Sequence, residues 1–207
     1  LTKAEMALGA MYFFDGEPIF SQRTKTTHER LAGLFVGTAH AHPGHYLAGN
    51  ALGQMLTSSS FGLLGDTATV GSGDGVSGLF RSARVTFPET VSGAFAGDLG
   101  SKIALFEGTA QKAGKTIGFR ASAARSELLD ADGQARVEGV TVLPGTNVGG
   151  DATLQLTIDP RTFFDQCEFD GLAEGTAPVD LPAGSDAAVN FVRGLKSGPA
   201  YVFTVQP

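Results

Sequence analysis

Lys102-Ile103-Ala104-Leu105-Phe106-Glu107-Gly108-Thr109-Ala110, then Gln111-Lys112-Ala113-Gly114, then Thr116-Ile117-Gly118-Phe119-Arg120-Ala121-Ser122-Ala123-Ala124 is the stretch that decides the fold. Two apolar-rich runs flank a short polar turn ending in glycine, which is the signature of a β-hairpin. Ile103, Leu105, Ile117 and Phe119 are its expected core positions.

The same grammar extends in both directions. Upstream, Leu79 to Phe87 alternates as a strand and stops at Pro88, with Leu79, Arg81, Ala83, Val85 and Phe87 expected on one side. Downstream, Leu128-Leu129 and the run from Ala135 to Leu143 flank the turn Asp130-Ala131-Asp132-Gly133. Ala152 to Ile158 and Tyr201 to Val205 read as two further strands. Lys3 to Phe14 reads as one strand entering a core, stopped by Asp15-Gly16-Glu17-Pro18. Ser21 to Arg30 is polar and reads as an exposed loop, and Gly44 to Ser60 has no clear period.

Two short helices are expected among these strands. Asp159-Pro160 presents an N-cap followed by proline at the first helical position, opening a helix toward Cys167. Ser185 or Asp186 caps a second, which runs through Phe191 and ends near Gly194. The expected fold is therefore all-β, a single β-sandwich domain over residues 1–207, immunoglobulin-like or jelly-roll-like, with one or two short helical insertions.

Composition agrees. Hydrophobic residues make up 42% of the 207, enough for a core, while charged residues make up only 17%. With 29 glycines and 15 phenylalanines, the chain suits short strands and tight turns and lacks the character of a disordered segment. The formal net charge is -6, and the basic residues are scattered, so nucleic acid is not an expected partner. No apolar run approaches the ~20 residues of a membrane-spanning helix. The chain begins at Leu1, as a trimmed or mature fragment would, which leaves room for a leader or a lipid anchor upstream.

The one sharp chemical feature is Thr38-Ala39-His40-Ala41-His42-Pro43-Gly44-His45-Tyr46, which holds three of the four histidines. In an extended segment residues two apart face the same side, so His40 and His42 would present imidazoles together. Pro43-Gly44 permits a turn that returns His45 toward them. Three neutral imidazoles suit Zn, Cu or Ni, and zinc would take them at ~2.0–2.1 Å with a fourth ligand. His28, Asp66, Glu5, Met6, Met11 and Met55 are the candidates for that fourth place.

The expected function is a transition-metal-binding protein outside the cytoplasm, periplasmic or at the cell surface, holding copper or zinc at His40, His42 and His45. Its role would be metal acquisition, delivery or sensing, its partners the metal ion and another envelope protein. Two alternatives use other chemistry. One is a metal-dependent enzyme with the same histidines and an open water site, which would need a deep pocket over the cluster. The other is a protein- or glycan-binding module with incidental histidines, although the chain has no tryptophan for stacking sugars. A polar histidine-rich loop or a histidine pH switch would leave the same residues without metal.

Other chemical-looking patterns read as structure. Gly73-Asp74-Gly75-Val76-Ser77-Gly78 has the letters of a dinucleotide loop, but a strand follows where a helix is needed. Asp130 and Asp132 resemble a calcium loop, yet Leu128 and Gly139 occupy ligand positions. Asp159, Asp165, Glu168 and Asp170 surround Phe163, Phe164 and Phe169, and the rings are expected in the core with the acids in solvent. Cys167, the single cysteine, is expected as a small buried hydrophobe.

Overall fold

The computed structural model describes residues 1–19, 47–65, 67–112, 114–169 and 171–206. Strands dominate and helices are few and short, in two packed sheets, so the chain is an all-β sandwich with short helical insertions.

In chain order the strands are β1 (Lys3–Leu8), β2 (Met11–Phe14), β3 (Ala51–Met55), β4 (Ser59–Gly62), β5 (Asp74–Gly75), β6 (Gly78–Thr86), β7 (Lys102–Lys112), β8 (Lys115–Ala124), β9 (Arg136–Val148), β10 (Thr153–Ile158), β11 (Gly175–Asp180) and β12 (Tyr201–Gln206). The helices are α1 (Ala96–Leu99) and α2 (Asp186–Leu195), with a 3-10 helix at Pro160–Phe164. The first sheet runs β11-β8-β7-β1-β4, and the second runs β10-β12-β9-β6-β2-β3-β5. Most neighbours are antiparallel, but β11 lies parallel to β8 and β12 parallel to β9.

The 102–124 hairpin is the centre of the first sheet. β7 and β8 pair from Lys102↔Ala124 to Lys112↔Lys115, and Gly114 takes φ +80° in the turn, a value that glycine adopts without strain. Ile103, Ile117 and Phe119 are buried as expected. Leu105 is only half-buried. A register shift between Lys102 and Ala104 changes the phase, so Ala104 and Phe106 carry the inward face.

Lys3 to Phe14 is two strands rather than one. β1 belongs to the first sheet and β2 to the second. The chain changes sheets at Gly9-Ala10, where Gly9 N–H donates to Thr86 O (2.8 Å) and Thr86 N–H donates back to Ala10 O (3.0 Å). The Thr86 hydroxyl also donates to Ala10 O at 2.8 Å. A Cβ on Gly9 would lie 2.7 Å from Thr86 Oγ1, too close for any side chain. The run Ala10 to Phe14 is apolar on both sides, so alternation does not mark where the inward set passes from Ala4, Met6 and Leu8 to Met11 and Phe13.

β6 departs from strict alternation for a similar reason. Ala83, Val85 and Phe87 face the core as expected, but Phe80 joins them in place of Leu79. The pairing of β6 with β9 shifts between Phe80 and Ser82, and such a bulge changes which side faces inward.

The helical insertions join the sheets through aromatic rings. Asp159 caps the 3-10 helix by accepting Arg161 N–H, with Pro160 at its first turn. Ser185 caps α2 by accepting Ala188 N–H at 3.3 Å. Phe106 of β7 makes edge-on contacts with Phe163 (5.6 Å), Phe164 (5.9 Å) and Phe191 (5.6 Å). Phe163 reaches Tyr201 of β12 at 5.9 Å, so one ring chain runs from the first sheet through the helix to the second. The Tyr201 hydroxyl donates to Leu195 O at 2.7 Å. That bond satisfies the phenol's one donor, and burial holds its pKa above the ordinary range.

Asp165 and Glu168 face solvent while Phe163 is fully buried, as the pattern of that acidic stretch implies. Asp170 lies outside the described residues. Cys167 is half-buried, and its thiol donates to Ala187 O at 3.4 Å. Burial, then the Asp165 charge, push the Cys167 pKa up to about 11. Very little thiolate is present at neutral pH. Native protein is expected to react with a disulfide reagent roughly a hundredfold slower than urea-unfolded protein. Equal rates in the two states would contradict this packing.

Candidate functional site

The histidine segment leaves and rejoins the second sheet at one place. β2 and β3 are antiparallel neighbours, paired from Met11↔Met55 to Phe14↔Ala51. The segment between them, which includes residues 20–46, is anchored where its described ends meet. Its base is fixed by Asp15. The Asp15 carboxylate accepts Asn50 N–H (2.6 Å) and the Asn50 side-chain amide (2.8 Å). Gly16 N–H donates to Ala48 O at 3.0 Å, and Asp15 N–H donates to Asn50 O at 3.2 Å. The Asn50 hydrogen bonds, side chain first, hold the Asp15 carboxyl below its usual range.

The incoming limb is also tied across the sheet. Ser82 Oγ donates to Gly16 O at 2.8 Å, Arg81 pairs with Glu17 at 2.6 Å, and Ile19 N–H donates to Gly139 O at 3.2 Å. Phe20 to Tyr46 then lie outside the described residues. His40, His42 and His45 all fall there, as does His28, and Asp66 is likewise outside. Among the described residues no group of three or more His, Cys, Asp and Glu is placed to hold a metal ion.

The described candidates for a fourth ligand are all buried, and Glu5 Oε2 has no hydrogen-bond partner among the described residues. Met6, Met11 and Met55 belong to the core between the sheets. Glu5 is buried against Lys3, whose ammonium lies 3.2 Å from Oε1 and also binds Asp98 at 2.9 Å.

Beside the base of the connection lies a feature that sequence reading missed. Arg84 sits over the rings of Tyr12 (5.9 Å) and Phe14 (5.5 Å). Its Nε is 2.9 Å from Glu138, which Arg136 also binds at 2.8 Å. Arg136 reaches Asp130 as well, at 3.3 Å. The register Tyr12↔Arg84 explains the stacking, and nothing in the local sequence announces which strands adjoin. These carboxylates are already neutralised by guanidinium groups, so they are poor metal ligands.

The other motifs are structural. Gly73 to Gly78 contains the two-residue strand β5 and leads into β6, with no helix after it. Asp130 closes its hairpin. Its Oδ1 accepts the N–H groups of Asp132 and Gln134, both at 2.9 Å, and these bonds, Gln134 first, lower its pKa.

Asp15, Asp130 and Asp159 share this behaviour, since each carboxyl is held below its ordinary value by hydrogen bonds. A depressed folded pKa contributes stability above the unfolded value of ~3.9, and that contribution is lost as pH falls through the lower folded values. Urea midpoints are therefore expected to hold steady down to about pH 4 and then fall, modestly because the groups are partly exposed to solvent. A midpoint that stayed constant well below that range would remove these caps from the account.

Two solvent-open hollows lie on the described surface. One, of about 250 Å³, lies between Leu172, Leu181, Pro182 and α2, and another, of about 330 Å³, lies beside β4 and Phe95. No protein-family model matches the chain, and neither a curated protein nor a solved structure matches it.

Proposed function

We propose that this protein binds a transition metal, copper or zinc, through His40, His42 and His45, outside the cytoplasm, for acquisition, delivery or sensing. The observation that carries the reading is the concentration of three of four histidines within six residues of one connection. The strands on either side support it. β2 and β3 are paired side by side, and the Asp15–Asn50 clamp fixes both ends of the connection on one rigid sheet, which lowers the ordering cost of a ligand loop.

Thioether ligands are disfavoured, because extracting Met6, Met11 or Met55 would empty a core site at about 2–5 kcal/mol each. Imidazole with a carboxylate or water suits Zn or Cu(II) better than a sulfur-rich Cu(I) site. The extracytoplasmic setting rests on composition, with 29 glycines and few charged residues, and an envelope partner would receive or donate the metal.

The pH dependence tests the reading. Only neutral imidazole ligates, so affinity for Zn and Cu should fall by up to about tenfold per histidine per pH unit below ~6.5. The carboxylate caps titrate lower, so the fold persists through that window. Calorimetric titration across it, with circular dichroism as the folding control, gives the answer. Affinity unchanged from well above to well below ~6.5 would contradict a histidine site.

A further inference from the structure

We propose that Lys3 and Asp98 become joined by a side-chain amide, an intramolecular isopeptide bond, with Glu5 as the group that moves the protons. An amine and two carboxyl groups meet at one point. Lys3 Nζ lies 2.9 Å from Asp98 Oδ2 and 3.2 Å from Glu5 Oε1. An amine held that close to a carboxyl oxygen is a small rotation away from the approach of roughly 3–3.5 Å to the carboxyl carbon at which amide formation starts. The two ends come from different elements, Lys3 from β1 and Asp98 from α1, so the bond would be a true cross-link in the fold.

Glu5 sets this trio apart from the surface ion pairs. Lys3 and Glu5 are two apart on β1 and so share one face of the first sheet, the face away from Ala4 and Met6 in the core. There Glu5 lies between its cross-strand neighbours Gly62 of β4 and Leu105 of β7, and a Cβ on Gly62 would meet the Phe95 ring at 3.2 Å. The Glu5 side chain is 8% exposed, and its Oε2 is shielded from solvent with no hydrogen-bond partner among the described residues. A carboxylate that served only to hold the fold would have its buried oxygens satisfied. One that touches an amine through one oxygen and keeps the other unspent can accept a proton and pass it on.

The resting state is the ion pair. Asp98, and then Glu5, hold the Lys3 pKa above its usual value, and Lys3 holds the Asp98 carboxyl below its own. Reaction begins when Glu5 takes one proton from the ammonium and delivers it to Asp98, leaving a neutral amine beside a neutral acid. The Nζ lone pair then adds to Asp98 Cγ. Glu5 moves a second proton from Nζ to the hydroxyl of the adduct, which leaves as water. One C–N bond has formed and one C–O bond has broken, with no oxidant or other reactant. The small population of the amine–acid pair makes the reaction slow. Fixing both groups on one frame supplies an effective concentration on the order of 10⁵–10⁸ M, which favours the amide over hydrolysis. The product ties α1 to β1, the strand from which the chain crosses to the second sheet.

Intact-mass spectrometry of the whole chain, kept folded at neutral pH for several days and then denatured, tests this. The expected result is a species lighter than the sequence by one water molecule, growing with time, and a branched peptide joining Lys3 to Asp98 after digestion. Lys3→Arg keeps the positive charge and the ion pair but offers no nucleophilic amine, so it should keep the full sequence mass, as should Asp98→Ala. Glu5→Gln should slow the loss of water at least about a hundredfold, with circular dichroism confirming that it folds. Wild type that stays at the full sequence mass overturns the proposal. So does a loss of water that Lys3→Arg retains, which would mark an aspartyl succinimide elsewhere in the chain. A folded Glu5→Gln variant that forms the branched peptide as fast as wild type overturns the role of Glu5.

Discussion

Replacing Phe106 with alanine is expected to cost about 3–5 kcal/mol of stability and to lower the melting temperature by roughly 6–20 °C. The size of the effect follows from where the ring sits. Phe106 is fully buried on the inner face of β7 and makes three edge-on contacts, to Phe163, Phe164 and Phe191. Those three rings come from the two helical insertions, so one truncation removes ring contacts that dock both onto the first sheet. Each lost aromatic pair adds about 0.5–1.5 kcal/mol to the area term. Phe119→Ala should cost a similar amount, because Phe119 is buried against Phe164 (5.1 Å) and Phe169 (4.7 Å). Thermal unfolding followed by near-ultraviolet dichroism measures both. A melting temperature within a degree or two of wild type would mean that the ring cluster does not hold the helices. In either variant the folded fraction should keep its metal stoichiometry, since both sites lie on the first sheet and the histidine connection springs from the second.

The second large effect concerns the histidines. Changing His40, His42 and His45 together to alanine should abolish Zn and Cu binding, and each single change should weaken it at least about tenfold, because a three- or four-ligand site loses much of its coordination energy with each ligand. His28→Ala should matter less. The melting temperature without metal, measured alongside, is the folding control. With metal, wild type should gain stability in proportion to RT ln(1 + [L]/Kd), and the triple variant should gain none. A triple variant that binds as tightly as wild type would place the site elsewhere.

How much of this was legible in the sequence depended on whether the signal was local. The 102–124 hairpin, the Asp130 turn, the Asp159-Pro160 and Ser185 caps and the final strand all carry their instructions within a few residues. β11 has all six residues exposed, so it lacks any apolar period, and its parallel partner β8 is some sixty positions away in the chain. β3 buries only Met55 and is as featureless. The break at Gly9-Ala10 was hidden because its cause is Thr86, distant in sequence. The phase change at Phe80 arises from a bulge against β9, which one strand's own pattern does not encode. The Arg84 network was hidden for the same reason, since its partners come from β2 and β9.

For the candidate site the reverse holds. The histidine spacing is plain in the sequence, while the cluster itself lies outside the described residues. The structure contributes the frame, a connection held at both ends by Asp15, Asn50, Gly16 and Ala48, and it withdraws three methionines from the list of ligands by burying them.

The most direct measurement is elemental analysis of the protein purified without a polyhistidine tag and without chelators, beside the His40/His42/His45 triple-alanine variant prepared identically. The account predicts copper or zinc approaching one equivalent per chain in the wild type and none above background in the variant. Metal-free wild type that also fails to take up zinc or copper on titration, or equal metal in the two proteins, would contradict it.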